Sequence, residues 1–316
     1  MTESPYKEVG FGITCIDTGL GRKELAACYL MEEDNHLAII ETGTGQSVPT
    51  IMNLIKNKGY KPEQVDYVII THVHLDHAGG ASELMQILPN AKLVVHPYGA
   101  RHMIDPSRLQ AGAMAVYGEK KYYEQYGDLV PISENRMIIA DDNFELLLAN
   151  RKLVFLDTPG HARHHFCVYD QQSEGIFTGD TMGIVYRELS EGFGHFVMPS
   201  TTPVQFDPEA MKSSIDRMMT LQPKRFFLTH YGMVENTKEH SSVLKRKVDE
   251  YVDFGNRYKD DPERKITLSE KLLTFTLDQL KHHGSPLSLD EQKEVLFMDV
   301  NLNAQGINVW LDQNNK

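Results

Sequence analysis

Three imidazoles and a carboxylate fall within six residues at His72-Val73-His74-Leu75-Asp76-His77, directly after the apolar run Val68-Ile69-Ile70. Neutral imidazole is the commonest protein ligand for a metal ion, and a cluster this dense has few structural uses. His72 and His74 lie two residues apart, a step that separates side chains on a helix but puts them on one face at the end of a strand. The segment is therefore not the helical His-Glu-x-x-His zinc signature, whose histidines sit one turn apart. It reads as a strand over 65 to 71 running into a ligand loop, with Gly79-Gly80 giving the backbone room to turn.

Three further polar residues stand where apolar strands end. His161 follows Asp157-Thr158-Pro159-Gly160, Asp180 follows Phe177-Thr178-Gly179, and His230 follows Phe226-Phe227-Leu228-Thr229. Layered α/β proteins gather functional side chains at such places because a rigid sheet aims several of them together. With the first cluster they make five histidines and two aspartates, enough for two metal ions, a bridging carboxylate and open positions for water. Such a pair brings shared water toward a pKa of ~7 and polarises a carbonyl, so hydrolysis needs no Ser or Cys nucleophile. Asp76 and Asp180, besides binding metal, would accept a hydrogen bond from the hydroxide and orient it, which makes them the candidate catalytic residues.

The elements that position these residues follow from apolar periodicity. Runs at 12 to 17, 26 to 31 and 37 to 41 predict strands, the last two joined as a hairpin across Glu32-Glu33-Asp34-Asn35. Ile51, Leu54 and Ile55 predict a helix over 48 to 58, stopped by Gly59. A helix over 81 to 88 and a strand over 92 to 96 come next. From 101 to about 132 the pattern turns helical and rich in tyrosine (Tyr117, Tyr122, Tyr123, Tyr126), an insertion at about 101–140 that reads equally as a lid or as a helix packed by its aromatics. Further strands are expected over 152 to 157, 165 to 169, 175 to 178 and 225 to 229, and a helix over 208 to 221. Beyond Tyr231 strand signals fade, and helices follow over 235 to 258, 266 to 283 and 288 to 299, the last opening on the capping box Ser288-x-x-Glu291.

Composition narrows the class. The 316 residues suggest one large domain, 1–235, with a helical extension, 236–316. A formal net charge of −12 offers no broad basic surface, which argues against nucleic-acid and anionic-membrane partners. Cys15, Cys28 and Cys167 lie far apart in apolar surroundings and read as buried thiols of a reducing compartment. The N-terminus has no secretory pattern and no stretch approaches 18 apolar residues, so a cytoplasmic protein is expected.

The set His72-x-His74-x-Asp76-His77, His161, Asp180 and His230, in that order, resembles the metallo-β-lactamase superfamily over roughly residues 8 to 235. The resemblance implies an α/β (α+β) fold, a four-layer αββα sandwich with a C-terminal helical extension. It implies that His72, His74 and His161 hold one metal, that Asp76, His77 and His230 hold a second, and that Asp180 bridges them. Two divalent ions per chain are thus expected, zinc first, with iron and manganese as alternatives that imidazole and carboxylate also accept. The superfamily's Asp-Thr-Gly stands here as Glu41-Thr42-Gly43, a departure that bears on local hydrogen bonding. Within the superfamily, the helical tail and the long gap from His77 to His161 are similar to the quinolone-signal response thioesterase branch. Glyoxalase II is similar in its Thr-His-x-His-x-Asp-His start and its tail, but a glutathione-binding set of basic and tyrosine residues is not evident. His74 argues against the flavodiiron branch, which places Glu at that position.

The expected function is a dinuclear metal-dependent hydrolase whose metal-bridging hydroxide attacks an ester, thioester or lactone carbonyl of a small-molecule substrate. A regulatory or binding protein with incidental turnover is the alternative, with a phosphodiesterase third because no basic exosite is evident. The other conspicuous residues have plainer readings. His164 and His165 stay outside the ligand set, as partners of ligands or strand-start residues. His96 reads as a hydrogen-bonded structural histidine, and Tyr231 as pointing away. The loop 183 to 199, with Tyr186, Phe193, His195 and Phe196, reads as a pocket wall. Phe275, Leu277, Leu280, Leu296, Phe297 and Met298 read as core or as contacts of a homodimer.

Overall fold

The computed structural model describes residues 4–190, 194–201, 203–235 and 237–314; Phe193 and the side chain of Tyr117 lie outside what it describes. The chain forms two compact units, each assembled from separate segments. The first comprises Met1–Asp157, His164–Gly179 and Lys224–Val234; the second comprises Thr158–Arg163, Asp180–Pro223 and Glu235–Lys316.

Both sheets belong to the first unit. A seven-stranded sheet runs in sequence order through β1 (Tyr6–Gly10), β2 (Ile13–Asp17), β3 (Ala27–Glu33), β4 (His36–Ile40), β5 (Val65–Ile69), β6 (Lys92–Val95) and β7 (Met137–Ile139), antiparallel as far as β4 and parallel from there on. A six-stranded sheet contains β8 (Glu145–Leu148), β9 (Arg151–Asp157), β10 (Phe166–Asp170), β11 (Gly175–Phe177), β12 (Arg225–Leu228) and β13 (Gly232–Val234), in the order β13-β12-β11-β10-β9-β8 with β11 and β12 parallel. The helices of this unit are α1 (Val48–Asn57), α2 (Leu75–Ala78), α3 (Ala81–Ile87), α4 (Pro97–Ile104), α5 (Ser107–Tyr117) and α6 (Glu119–Tyr126).

The two-residue repeat of the strands explains how two cores share one sheet. Ala27, Tyr29 and Met31 of β3 and Ala38 and Ile40 of β4 face the core that also takes Phe155, Phe166, Phe177 and Phe227 from the other sheet. Cys28 and Leu30, with Leu37 and Ile39, face the opposite way onto Ile51, Leu54 and Ile55 of α1 and Leu84 and Met85 of α3. Strands buried on both faces read as unbroken apolar runs, which is how 27 to 31 of β3 and 37 to 40 of β4 look in the sequence. Phe177 and Phe227 stack at 4.5 Å with Tyr29 edge-on to both. Truncating one of these rings to Ala costs about 3–5 kcal/mol.

The second unit is built on α7 (Pro208–Thr220), α8 (Thr237–Arg257), α9 (Arg264–His283) and α10 (Leu289–Asn314). Asp207 caps α7 by accepting from Ala210 N at 3.0 Å, and Pro208 follows it at the first helical position, where a missing N–H costs nothing. Buried Leu244, Val248 and Tyr251 of α8, Leu268, Leu272, Thr276 and Leu280 of α9, and Leu296, Val300, Ala304, Ile307 and Leu311 of α10 repeat at helical spacing. A side chain at Gly255 would meet Ile307 at 2.5 Å, so glycine permits the close approach of α8 and α10.

Two expectations need correcting. The third tail helix does not stop near 299 but continues to Asn314, because buried Asn303 and Asn308 satisfy their amides by hydrogen bonds and so interrupt the apolar repeat without ending the helix. Strand structure also persists beyond Tyr231, since Gly232–Val234 pairs antiparallel with β12, too short a run to show a period. No helix among the described residues is long and apolar enough to cross a membrane.

Candidate metal centre

In the first unit β5 delivers its histidines at its C-terminal end. Val73 points into the core beneath α1 and α3 while His72 and His74 turn the other way, the alternation expected of extended backbone. Leu75 anchors α2 against Tyr122, Tyr126 and Leu129, so the tyrosine-rich segment packs under the ligand turn. Gly79 and Gly80 have ordinary helical φ values of −63° and −85°. What they allow is close approach rather than an unusual turn: a Cβ at Gly79 would sit 2.4 Å from Leu75 O, and one at Gly80 would sit 2.8 Å from Thr42 O.

Glu41, 1% exposed, is the hub of this half. Its φ of +61° is strained for a residue with a side chain, and it turns the chain out of β4. Its carboxylate accepts from Thr71 N at 3.2 Å, from His77 Nδ1 at 3.0 Å, from Thr229 Oγ1 at 3.3 Å and from Thr71 Oγ1. Since the Thr71 hydroxyl donates to Glu41, it is left to accept from His72 Nδ1, 3.1 Å away. His230, just past β12, donates from Nδ1 to Leu25 O at 2.8 Å.

These bonds decide which nitrogens remain as acceptors. His77 and His230 each keep Nε2, and both atoms face Asp76 Oδ2, at 3.4 Å and 3.2 Å. His72 keeps Nε2, 2.9 Å from His74 Nδ1. Lone pairs converging in this way form the arrangement that a divalent cation neutralises, and the donor atoms of Asp76, His77 and His230 lie within 4.8 Å of one another.

The second unit holds the remaining two residues. His161 donates from Nδ1 to Ser200 O at 3.0 Å, and its Nε2 lies 3.4 Å from Asp180 Oδ2, which also accepts from Ser200 Oγ at 3.0 Å. The loop before His161 lies on α7: Ser214 Oγ donates to Pro159 O, and Asp207 N to Gly160 O. Gly160, at φ +131°, passes so near Met211 that a Cβ would meet its backbone at 2.3 Å. After Asp180 the chain pairs Ile184 with Met198, tying this segment to the strap that contains Ser200.

Within the first unit, then, His72, His74, Asp76, His77 and His230 come together, and within the second His161 meets Asp180. Glu41, Thr71 and Ser200 were not singled out as partners of these residues. The Glu41-Thr42-Gly43 departure was a signal for the first, and Ser200 carried none. Tyr231 packs against the core between the sheets, where burial pushes its hydroxyl up. His96 is structural: its Nδ1 accepts from Tyr98 N at the start of α4, and its Nε2 meets Asp157 at 3.1 Å. In the loop expected to wall a pocket, Tyr186, Leu189, Phe196 and Met198 are buried. In the tail Leu280 and Leu296 are core, whereas Phe297 and Met298 are exposed. Cys15, Cys28 and Cys167 are buried and none is in a disulfide.

A family model described as the Metallo-beta-lactamase superfamily matches residues 21–230. ST1585 of Sulfurisphaera tokodaii, described as a metallo-beta-lactamase fold-containing protein, is 29% identical over 240 residues, 73% of this chain and 84% of its own. The crystal structure of ST1585 superposes with a TM-score of 0.65 at 24% identity, covering 94% of this chain and 98% of that one. The atrochrysone carboxyl ACP thioesterase of Aspergillus fumigatus is 28% identical over 65% of this chain, which spans 47% of that protein. A hydroxyacylglutathione hydrolase of Pelagibacter ubique is 24% identical over 62% of this chain and 70% of its own.

Proposed function

The chain belongs to the metallo-β-lactamase superfamily and shares its fold, and on that premise we propose that it is a dinuclear metal-dependent hydrolase of small-molecule acyl substrates, thioesters first, with esters and lactones beside them. The observation that carries this reading is the convergence of His77 Nε2, His230 Nε2 and Asp76 Oδ2, each imidazole having committed its other nitrogen to a protein acceptor. A thioesterase and a hydroxyacylglutathione hydrolase among the relatives favour acyl transfer to water.

In this reading His72, His74 and His161 hold one divalent ion, Asp76, His77 and His230 a second, and Asp180 both, zinc being the first candidate and iron or manganese the others. Bound there, such ions supply Lewis acidity toward a carbonyl and bring water close to ionisation at neutral pH. The protein's own contribution is orientation. Glu41 keeps the His77 proton on Nδ1 and, through Thr71, the His72 proton on Nδ1, which leaves Nε2 of both rings as the unprotonated nitrogen. Asp76, beside His77 and His230, accepts a hydrogen bond from the attacking water and turns its lone pair toward the acyl carbon. Asp180, fixed by Ser200 Oγ, serves as the second acceptor. Buried cysteines outside any disulfide accord with a cytoplasmic setting.

The test is a panel of acyl-thioester, carboxylic ester, lactone and phosphodiester substrates with zinc-loaded protein. Thioester or ester cleavage is expected, lost by about a thousandfold or more in His72→Ala and in Asp180→Asn, as for removal of central catalytic groups. Undiminished turnover in both variants would sink the assignment, and faster phosphodiester cleavage would redirect it.

A further inference from the structure

Asn303 joins the helical tail to the strap that flanks the site residues of its own unit. Asn303 of α10, 3% exposed, donates from Nδ2 to Pro199 O at 3.0 Å and accepts at Oδ1 from Thr201 N at 2.7 Å. The Thr201 hydroxyl donates back to Asn303 O at 2.9 Å, with Oδ1 also within 3.0 Å. Asn303 thus grips the residue on either side of Ser200. Ser200 in turn makes the two bonds that aim the neighbouring donors, its carbonyl to His161 Nδ1 and its hydroxyl to Asp180 Oδ2. The Ile184–Met198 pairing fixes the strap at its other end.

We propose that Asn303 is a positioning residue for the metal donors of the second unit, setting the strap 199–201 so that His161 Nε2 and the Asp180 carboxylate face a bound ion. The proposal rests on the ligand roles assigned above to His161 and Asp180. A structural asparagine in this helix would need only to satisfy itself, as Asn308 does by donating to Ala304 O at 2.9 Å and accepting from Arg264 Nε at 2.7 Å. Asn303 instead turns its amide to the strap, giving Nδ2 to Pro199 O and taking the Thr201 N–H at Oδ1, beside side-chain contacts to the Thr201 and Tyr251 hydroxyls. An amide suits that task because it presents a donor and an acceptor side by side, matching one carbonyl and one N–H two residues apart. Aspartate offers only the acceptor half, and leucine neither.

The experiment measures zinc retention by the full-length protein in competition with a chelator, beside thermal melting, and so requires no substrate. Asn303→Ala is expected to weaken zinc retention about tenfold, the lower end of the effect of residues that orient ligands. Asn308→Ala, in the same helix, is expected to lower the melting temperature comparably and to leave zinc retention unchanged. Asn303→Asp keeps the bond to Thr201 N and loses the one to Pro199 O, so it should fall between wild type and alanine, and it decides the matter if the alanine variant does not fold. Retention in the folded Asn303 variants no weaker than in Asn308→Ala overturns the proposal. His161→Ala, run in parallel, separates the two readings. If that variant keeps zinc, the ligand assignment fails; if it loses zinc while the Asn303 variants keep it, the role of Asn303 alone fails.

Discussion

Glu41 and Asn303 perform comparable tasks in the two units by opposite means. Glu41 stands at the end of β4, next to the strand that leads to His72, and one buried charge collects protons from Thr71, His77 and Thr229. In the second unit the work is divided among neutral groups: a serine that touches the donors and an asparagine about a hundred residues further along the chain that holds the serine's neighbours. Charge-assisted bonds within a sheet are strong and local, whereas neutral bonds made across a long loop bear the entropy of closing it. The first half is therefore expected to resist remote substitution, and the second to be sensitive to it.

The sharpest way to break that contrast is Glu41→Ala. It leaves the Thr71 N–H and the His77 Nδ1–H without their acceptor, at about 1–3 kcal/mol each and so about 2–6 kcal/mol together. A denaturant midpoint indistinguishable from wild type would show that the charge is no hub. Acid should then expose the second unit. Burial pushes the His240 imidazole of α8 down to about 4, against the pull of its bond to Met182 O at 2.8 Å. The unfolded chain, with a histidine pKa of about 6.5, binds that proton first, so stability is full above about pH 6.5 and falls by on the order of 3 kcal/mol as the pH drops to about 4. Urea midpoints at pH 7 and pH 4.5 should differ less in His240→Leu than in wild type; an equal difference in the two proteins would remove His240 as the cause. Ser200→Ala should have the smallest effect, about 1–2 kcal/mol or roughly tenfold in zinc retention, because it deletes the hydroxyl bond to Asp180 and spares the carbonyl bond to His161. A loss as large as that of Asp180→Asn would mean that the hydroxyl, not the strap, is the main support.

The same contrast decides what could be read from the residues alone. β3 and β4 were legible because both of their faces are buried in one unit, and α1 because its buried residues recur at helical spacing. β7, β8 and β13 were not, being three or four residues each, with exposed positions in two of them. His72 to His77 announced themselves as contiguous donors. Glu41 could be noticed as an oddity but not understood, since its meaning depends on a positive φ and on strand pairing. Ser200 and Asn303 were invisible because an ordinary serine and asparagine acquire their roles only when a strap and a helix meet. The tyrosines of α6 showed as a cluster, yet that two of them underlie Leu75 is a fact of packing.

The grip of Asn303 on residues 199 and 201 also bears on how such a chain comes into being. All seven candidate donors have been synthesised once His230 is added, while Asn303 has yet to be made. A message cut short anywhere between the two encodes every histidine and aspartate of the motif and none of the clasp. Inspected residue by residue, such a product looks intact. Proteolysis or a frameshift between His230 and Asn303 thus removes the clasp while the recognisable signature survives whole.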